Sequence, residues 1–205
     1  MCGRYFLEES PELRPIVEEM NRSPLLSRFP DTAAVTQSGE VKPSSVVPVI
    51  AMNRAGKRTV FPMKWGFSVP KSGGGAGLLI NARTETAASK STFRDAWAAH
   101  RCIVPASFYF EWQHDAAKKA TGTRYAIQPP DQGVAWLCGL YRMEGGLPAF
   151  VILTREPGEE IRFIHDRMPL ILPKEQIDAW INPDEQPEAT AAFAQTKMLC
   201  EPAAG

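Results

Sequence analysis

Cys2, which directly follows the initiator methionine, is the residue of this sequence best suited to covalent chemistry. Removal of Met1 would leave Cys2 with a free α-amine beside its thiol. The pKa of an α-amine is about 7.7 to 8.0, against about 10.4 for lysine, so at neutral pH a useful fraction of it is uncharged and nucleophilic. Such an amine can condense with an aldehyde to a Schiff base, and the adjacent thiol can then close a five-membered ring onto the same carbon. The alternative is that Cys2 is simply the second residue of an unstructured chain start.

Three further polar residues stand in strongly apolar surroundings. Asn81 follows the apolar run at 78–80, Glu111 lies among the four aromatic residues of 108–112, and His165 lies between Ile164 and Asp166. Burying such groups costs several kcal/mol unless they are paired or used. We therefore predict that they are site residues and that desolvation raises the pKa of Glu111. Each also has an ordinary structural alternative: a turn for Asn81, a water-facing strand edge for Glu111, and a satisfied core position for His165.

The elements that must position these residues are mostly short strands. Apolar runs rich in β-branched and aromatic residues recur along the chain, with few helical patterns between them. This pattern predicts an α+β fold, in which residues 1–205 form a single domain with a curved, barrel-like, mainly antiparallel sheet flanked by a few helices. Prolines inside the segments 41–52 and 59–65 predict short extended pieces and an edge strand there. A final helix is predicted from about Pro187 to Leu199.

Composition and charge limit the classes of function that this protein can have. The 205 residues carry no formal net charge, but residues 57–101 contain eight Lys or Arg against two acidic residues. This excess predicts a groove for a polyanion, with a solvated mixed surface as the alternative. The four cysteines lie far apart and without a Cys-x-x-Cys pair, which argues against a metal site. No signal peptide or membrane span is indicated, so we expect a cytoplasmic protein with reduced thiols.

Short motifs around these residues resemble those of a known family, the SOS-response-associated peptidase (SRAP) family. In chain order they are Met-Cys-Gly-Arg at 1–4, Trp-Gly at 65–66, Asn-Ala-Arg-x-Glu at 81–85, Arg-Cys-Ile-Val-Pro-Ala at 101–106, Glu-Trp at 111–112 and Ile-His-Asp-Arg-Met-Pro at 164–169. They extend over most of the chain. Singly none is specific, but together they are highly specific.

The resemblance implies an abasic-site sensor in which Cys2 forms a thiazolidine with the ring-opened sugar of an abasic site in single-stranded DNA. Associated lyase and reversal chemistry is also implied. Asn81 would position Cys2 and the sugar, Glu111 would act as general acid and base, and His165 would assist Schiff-base formation or crosslink release. DNA contacts are implied for five residues: Arg4, Arg83 and Arg167 on phosphates, and Trp65 and Trp112 as stacking or wedge surfaces.

Two other functions remain open at this point. The N-terminal thiol could attack a peptide or amide, as in a cysteine-type peptidase or amidohydrolase. The chain could instead be a non-catalytic module that binds single-stranded DNA. For the abasic-site function we expect no cofactor, no metal and no membrane partner, a monomer, and a bacterial protein associated with the nucleoid while bound to DNA.

Overall fold

A computed structural model describes residues 2–31, 34–70, 73–115, 120–130 and 133–203. Met1, whose removal would expose the predicted α-amine of Cys2, lies outside these residues. The strands are β1 (Arg4–Leu7), β2 (Gly39–Val41), β3 (Val46–Met52), β4 (Arg58–Trp65), β5 (Phe67–Pro70), β6 (Ala76–Leu79), β7 (Asn81–Arg83), β8 (Arg101–Ala106), β9 (Phe108–His114), β10 (Ala120–Gln128), β11 (Ala135–Glu144), β12 (Leu147–Arg155), β13 (Met168–Pro169), β14 (Ile171–Leu172) and β15 (Leu199–Ala203). The α-helices are α1 (Arg14–Asn21), α2 (Thr84–Ala87), α3 (Arg94–Ala99), α4 (Ile177–Ile181) and α5 (Pro187–Ala191).

The core of the molecule is a closed five-stranded barrel. Its strands pair in the order β12-β4-β3-β8-β11, and β11 returns to β12 to close the ring. All of these pairings are antiparallel except β12 with β4. Closure removes the unpaired strand edges and buries one face of every strand. The predicted α+β domain with a barrel-like sheet is therefore confirmed.

Two proline-containing strands differ from the prediction. β3 and β4 are barrel strands rather than short pieces at an edge, and Pro48 pairs directly with Pro62. The two prolines are compatible with barrel strands because, at Pro48 and at Pro62, the strand is paired with a neighbour on one side only. β3 meets β8 only at Ile50 and Ala51, and β4 meets β12 only from Lys64 onward. A proline therefore removes no ladder hydrogen bond at either place.

A second sheet, in the order β15-β10-β9-β1-β2, positions two of the four residues predicted to be catalytic, Cys2 and Glu111. β1 leads directly from Cys2, and β9 contains Glu111; the two strands pair with Tyr5 opposite Tyr109. This pairing brings the chain start beside Glu111. The predicted C-terminal helix, from about Pro187 to Leu199, is wrong beyond Ala191, where α5 ends. Residues 199–203 instead form β15, because they pair with the edge of β10 that β9 leaves open.

Candidate active site

Cys2 is buried and held by Asn81. The side-chain Nδ2 of Asn81 donates to the backbone carbonyl of Cys2 at 2.9 Å, and the Cys2 thiol donates to the Arg4 carbonyl at 3.7 Å. Cys2 has no solvent exposure. Burial, with the charge of Glu111 as the second cause, holds the pKa of the Cys2 thiol well above its usual range. The thiol is therefore protonated at neutral pH, and its backbone is fixed from the barrel side.

Asn81 is placed by the parallel pairing of β7 with β12, which sets it opposite Ile152. The carbonyl just before it, that of Ile80, accepts from the Ile152 N–H at 3.0 Å and from the Trp65 indole N–H at 2.9 Å. The other amide atom of Asn81, Oδ1, is buried and has no hydrogen-bond partner within the described part of the chain. A buried acceptor without a partner is costly, so this atom is available to a ligand.

Trp65 requires a correction, because it cannot stack on DNA in this conformation. Its side chain is completely buried, with its ring parallel to that of Phe150 at 6.2 Å and tilted against Tyr5 at 5.3 Å. Together with the bond to Ile80, these contacts make Trp65 a support for the strand that carries Asn81. An aromatic residue in a motif does not reveal from sequence which way its ring points.

Glu111 is a buried carboxyl beside Cys2. It is 3% exposed, and the Trp112 N–H donates to its Oε1 at 3.3 Å. Burial is the main cause that raises the pKa of Glu111, as the aromatic surroundings predicted. The hydroxyls of Tyr5 and Tyr109 are also buried and have no hydrogen-bond partner among the described residues. The interior beside Cys2 therefore holds a carboxyl that resists ionisation and two unused hydroxyls.

His165 lies in the segment between β12 and β13 and is 8% exposed. Its neighbour Arg167 anchors this segment: both terminal nitrogens bond the Glu85 carboxylate at 2.8 Å, and Nη2 also bonds the Thr154 carbonyl at 2.6 Å. The Arg167 side chain is only 12% exposed. The guanidinium is thus paired with Glu85 and helps to hold the His165 segment, while its contact with a DNA phosphate stays a prediction.

The outer face of β9 and β10 carries the remaining polar contacts. Arg4 and Arg124 both bind the carboxylate of Glu40, Arg124 at 3.0 Å. The Arg124 guanidinium lies 4.0 Å from the centroid of the Phe110 ring and 5.9 Å from that of Trp112. Two cations share one carboxylate, so the cluster of Arg4, Arg124 and Glu40 has one positive charge in excess, and half-buried Trp112 lies beside it.

Arg83 is exposed at the end of β7, two residues from Asn81. Other basic residues of the segment 57–101 lie elsewhere: Arg101 is buried, and Arg58 pairs with Asp178 at 3.3 Å. These two do not contribute to a groove at the site. The predicted basic excess is thus not all gathered at the site, and it is the strand pairing that brings Arg4 and Arg124 together.

Sequence reasoning missed His114 and Arg124. His114 ends β9, and its ring lies 4.3 Å, centroid to centroid, from that of His165. Arg124 lies directly opposite Trp112 on β10. His114 belongs to a charged stretch whose composition indicates a turn, so its position gave no periodic signal. Only the pairing of β9 with β10 and with the His165 segment brings these residues to the site.

The sequence is similar to known proteins over nearly its whole length. A family model described as SOS response associated peptidase (SRAP) matches residues 1–203. The chain belongs to the SRAP family. Among SRAP relatives, the chain is 32% identical to the abasic site processing protein YobE of Bacillus subtilis over 194 residues, covering 89% of this chain and 83% of that one. It is 29% identical to the abasic site processing protein YedK of Escherichia coli over 185 residues, covering 88% and 79%.

Solved structures agree on the fold. A crystal structure of a protein from Bacteroides thetaiotaomicron matches with a TM-score of 0.72 at 22% identity, covering 98% of this chain and 91% of that one. Within the described ranges, no helix is long and apolar enough to span a membrane. The same ranges contain no cluster of three or more His, Cys, Asp or Glu residues that could hold a metal ion.

The buried charge of Glu111 leads to a stability prediction. Because burial raises its pKa, the folded state favours the protonated carboxyl. The stability that this group contributes is complete below its unfolded pKa of about 4.3 and is lost as pH rises through the folded pKa. Glu111→Gln removes this loss, so we expect its thermal midpoint at pH 7 to rise by a few degrees.

Glu40→Gln is the matched control of opposite sign. Burial alone would raise the pKa of Glu40, but its bonds to Arg4 and Arg124 hold it below the usual range. Glu40 therefore contributes stability above its unfolded pKa, which is lost as pH falls through the folded pKa. Its replacement should lower the midpoint at pH 7. Thermal unfolding from pH 4 to pH 8 checks both variants, and a Glu111→Gln protein less stable than the parent at pH 7 would contradict the assignment.

Proposed function

We propose that this protein captures abasic sites in single-stranded DNA through a covalent thiazolidine between Cys2, after Met1 is removed, and the ring-opened sugar aldehyde. Two of its SRAP relatives are named as abasic site processing proteins. The single observation that carries the proposal is the 2.9 Å bond from Asn81 to the Cys2 carbonyl. It fixes the one residue able to present both an amine and a thiol, next to a buried carboxyl.

The proposed reaction needs no reactant other than the Cys2 amine, the Cys2 thiol and the sugar aldehyde. The Cys2 amine adds to the sugar C1′ carbonyl, and the carbinolamine loses water to give an iminium. The thiol then adds to the same carbon and releases its proton, so amine, thiol and aldehyde yield a thiazolidine and one water. Glu111 and His165 are suited to supply and remove protons in the addition and dehydration steps. The Asn81 Oδ1 is an acceptor for a sugar hydroxyl or for the Cys2 amine.

A protonated thiol suits this order of events. A cysteine peptidase needs a thiolate to attack first, and a buried thiol with a raised pKa is a poor source of one. In ring closure the amine attacks first, and the thiol meets an electrophile that is already attached. The contacts proposed for the DNA are Arg4 and Arg83 on phosphates and Trp112 beside the lesion, because arginines and aromatic faces together bind single strands.

Intact-mass measurement tests the proposal. The protein is mixed with a single-stranded oligonucleotide containing one abasic site, and with the same strand intact. We expect a heat-stable product whose mass is the sum of the two partners minus one water, formed only with the abasic strand and only by chains that have lost Met1. Equal reversible binding of both strands without a covalent product would favour a binding module, and repeated turnover of a peptide would favour a peptidase.

Asn81→Ala is expected to slow crosslink formation by about ten- to a hundredfold. The substitution removes the bond that fixes Cys2, and a displacement of about 1 Å between reacting groups can cost about a hundredfold in rate. The rate is measured by gel shift under denaturing conditions at saturating protein. Asn21→Ala, an exposed asparagine bonded to Gln37, is the control and should react at the parent rate. An Asn81→Ala protein that also reacts at the parent rate would contradict this role.

A further inference from the structure

His114 and His165 form a contact between two imidazoles at the edge of the site. Their ring centroids are 4.3 Å apart and the planes are tilted by 53°. The backbone N–H of His114 also donates to the Ile164 carbonyl at 2.9 Å, so β9 is tied to the segment that carries His165. Two titratable rings are therefore held together by both side-chain and backbone contacts.

The Nδ1 atom of His165 has two polar neighbours that suit different protonation states. The backbone N–H of Arg167 lies 3.0 Å from it and, as a donor, requires an unprotonated nitrogen. The Oδ1 of Asp166 lies 2.9 Å from the same atom and, as an acceptor, favours a protonated one. The local geometry therefore accepts both the neutral ring and an imidazolium paired with Asp166.

When His114 is protonated, a second positive charge on His165 is unfavourable, because the two ring centroids are only 4.3 Å apart. Asp166 acts in the opposite direction, and Arg167 contributes little because Glu85 neutralises it. The elements packed around the pair bring these titratable and charged groups: Glu111 on β9 and Asp115 just beyond its end, Arg124 and Tyr125 on β10, and Asp166 and Arg167 on the segment itself.

We propose that His114 is a positioning residue for His165: its ring holds the His165 imidazole in place, and a positive charge on His114 disfavours a second positive charge on His165. Neutral His165 is the form that can accept a proton during condensation of the amine with the aldehyde. The consequence for the reaction rests on the proposed function. The pairing itself is a property of the free protein and can be measured without DNA.

NMR titration of the imidazole nitrogens in the free protein tests the proposal. His114→Phe keeps an aromatic ring and removes the charge, so the pKa of His165 should rise by about one unit. Asp166→Asn removes the competing acceptor charge and should lower it. His100, the third histidine, packs on Tyr141 away from the site and is the internal control, whose titration should not move in either variant.

The same variants should shift the pH profile of crosslinking. With His114→Phe, His165 becomes protonated at a higher pH, so the acidic side of the curve of crosslinking rate against pH should move up by about one pH unit. With Asp166→Asn, it should move to lower pH. His114→Gln, which removes ring and charge together, gives the same upward direction if the phenylalanine variant folds poorly. An unchanged His165 pKa in both His114 variants would overturn the inference. If the pKa shifts appear but no variant or parent crosslinks DNA, the proposed function fails and the pairing stands.

Discussion

Cys2→Ala is expected to lose the heat-stable adduct with abasic single-stranded DNA by more than about a hundredfold. In the mature variant the new N-terminal alanine still has an α-amine, so an iminium still forms, but no thiol is present to close the ring; holding both nucleophiles together is what makes closure fast. Borohydride should therefore trap the DNA on Cys2→Ala at a level similar to the parent. Without reduction, the iminium should instead lose the C2′ proton and expel the 3′ phosphate, which gives more strand cleavage than with the parent.

Denaturing gels with and without borohydride separate these products. Cys200→Ala is the thiol control, because Cys200 is a partly exposed cysteine on β15, and it should crosslink like the parent. A protein that retains Met1 is the amine control and should not form the heat-stable adduct, since its Cys2 nitrogen is an amide and cannot enter the ring. Undiminished heat-stable adduct with Cys2→Ala would refute the proposed chemistry.

Arg101→Met is expected to lower the free energy of unfolding by about 3 to 5 kcal/mol, because it leaves buried backbone carbonyls without a donor, at about 1 to 3 kcal/mol for each that finds no other partner. Arg101 is 1% exposed and donates to five backbone carbonyls at the ends of α3 and α4 and just beyond. These are the carbonyls of Trp97, Ala98, Trp180, Asn182 and Glu185. Methionine fills a similar volume but leaves all five acceptors without their donor.

Urea unfolding followed by circular dichroism measures this loss. Arg94→Met, on helix α3 shortly before Arg101 in the chain, is the matched control: the Arg94 side chain is 64% exposed and pairs with the adjacent Asp95, so the change should stay within about 0.5 kcal/mol. Arg101→Lys restores a charge and up to three donors and should fall between the two. A loss of less than about 1 kcal/mol with Arg101→Met would contradict the structural role of this residue.

The element pattern predicted much of the fold because strand and helix signals are local. The strands around Glu111 and the predominance of short strands over helices both follow from apolar runs rich in β-branched and aromatic residues. Errors arose where a distant segment decides the outcome. Pro48 and Pro62 occupy barrel strands because each faces only one neighbour there, and residues 199–203 become a strand because β10 offers them an edge.

The sequence by itself determined which groups this protein can use: a cysteine able to carry an amine and a thiol, a glutamate among aromatic residues whose pKa burial would raise, and an asparagine and a histidine at the ends of apolar runs. Residue types and local order suffice for this inventory. Only the tertiary structure decided which groups meet and which are already used. Asn81 hydrogen-bonds to Cys2, 79 positions away in the chain, and the ring of His114 contacts that of His165. Trp65 is buried in the core, and Arg167 forms an ion pair with Glu85. Each of these depends on strand pairing between distant segments, and the direction in which a side chain points follows from that pairing rather than from its neighbours in the chain.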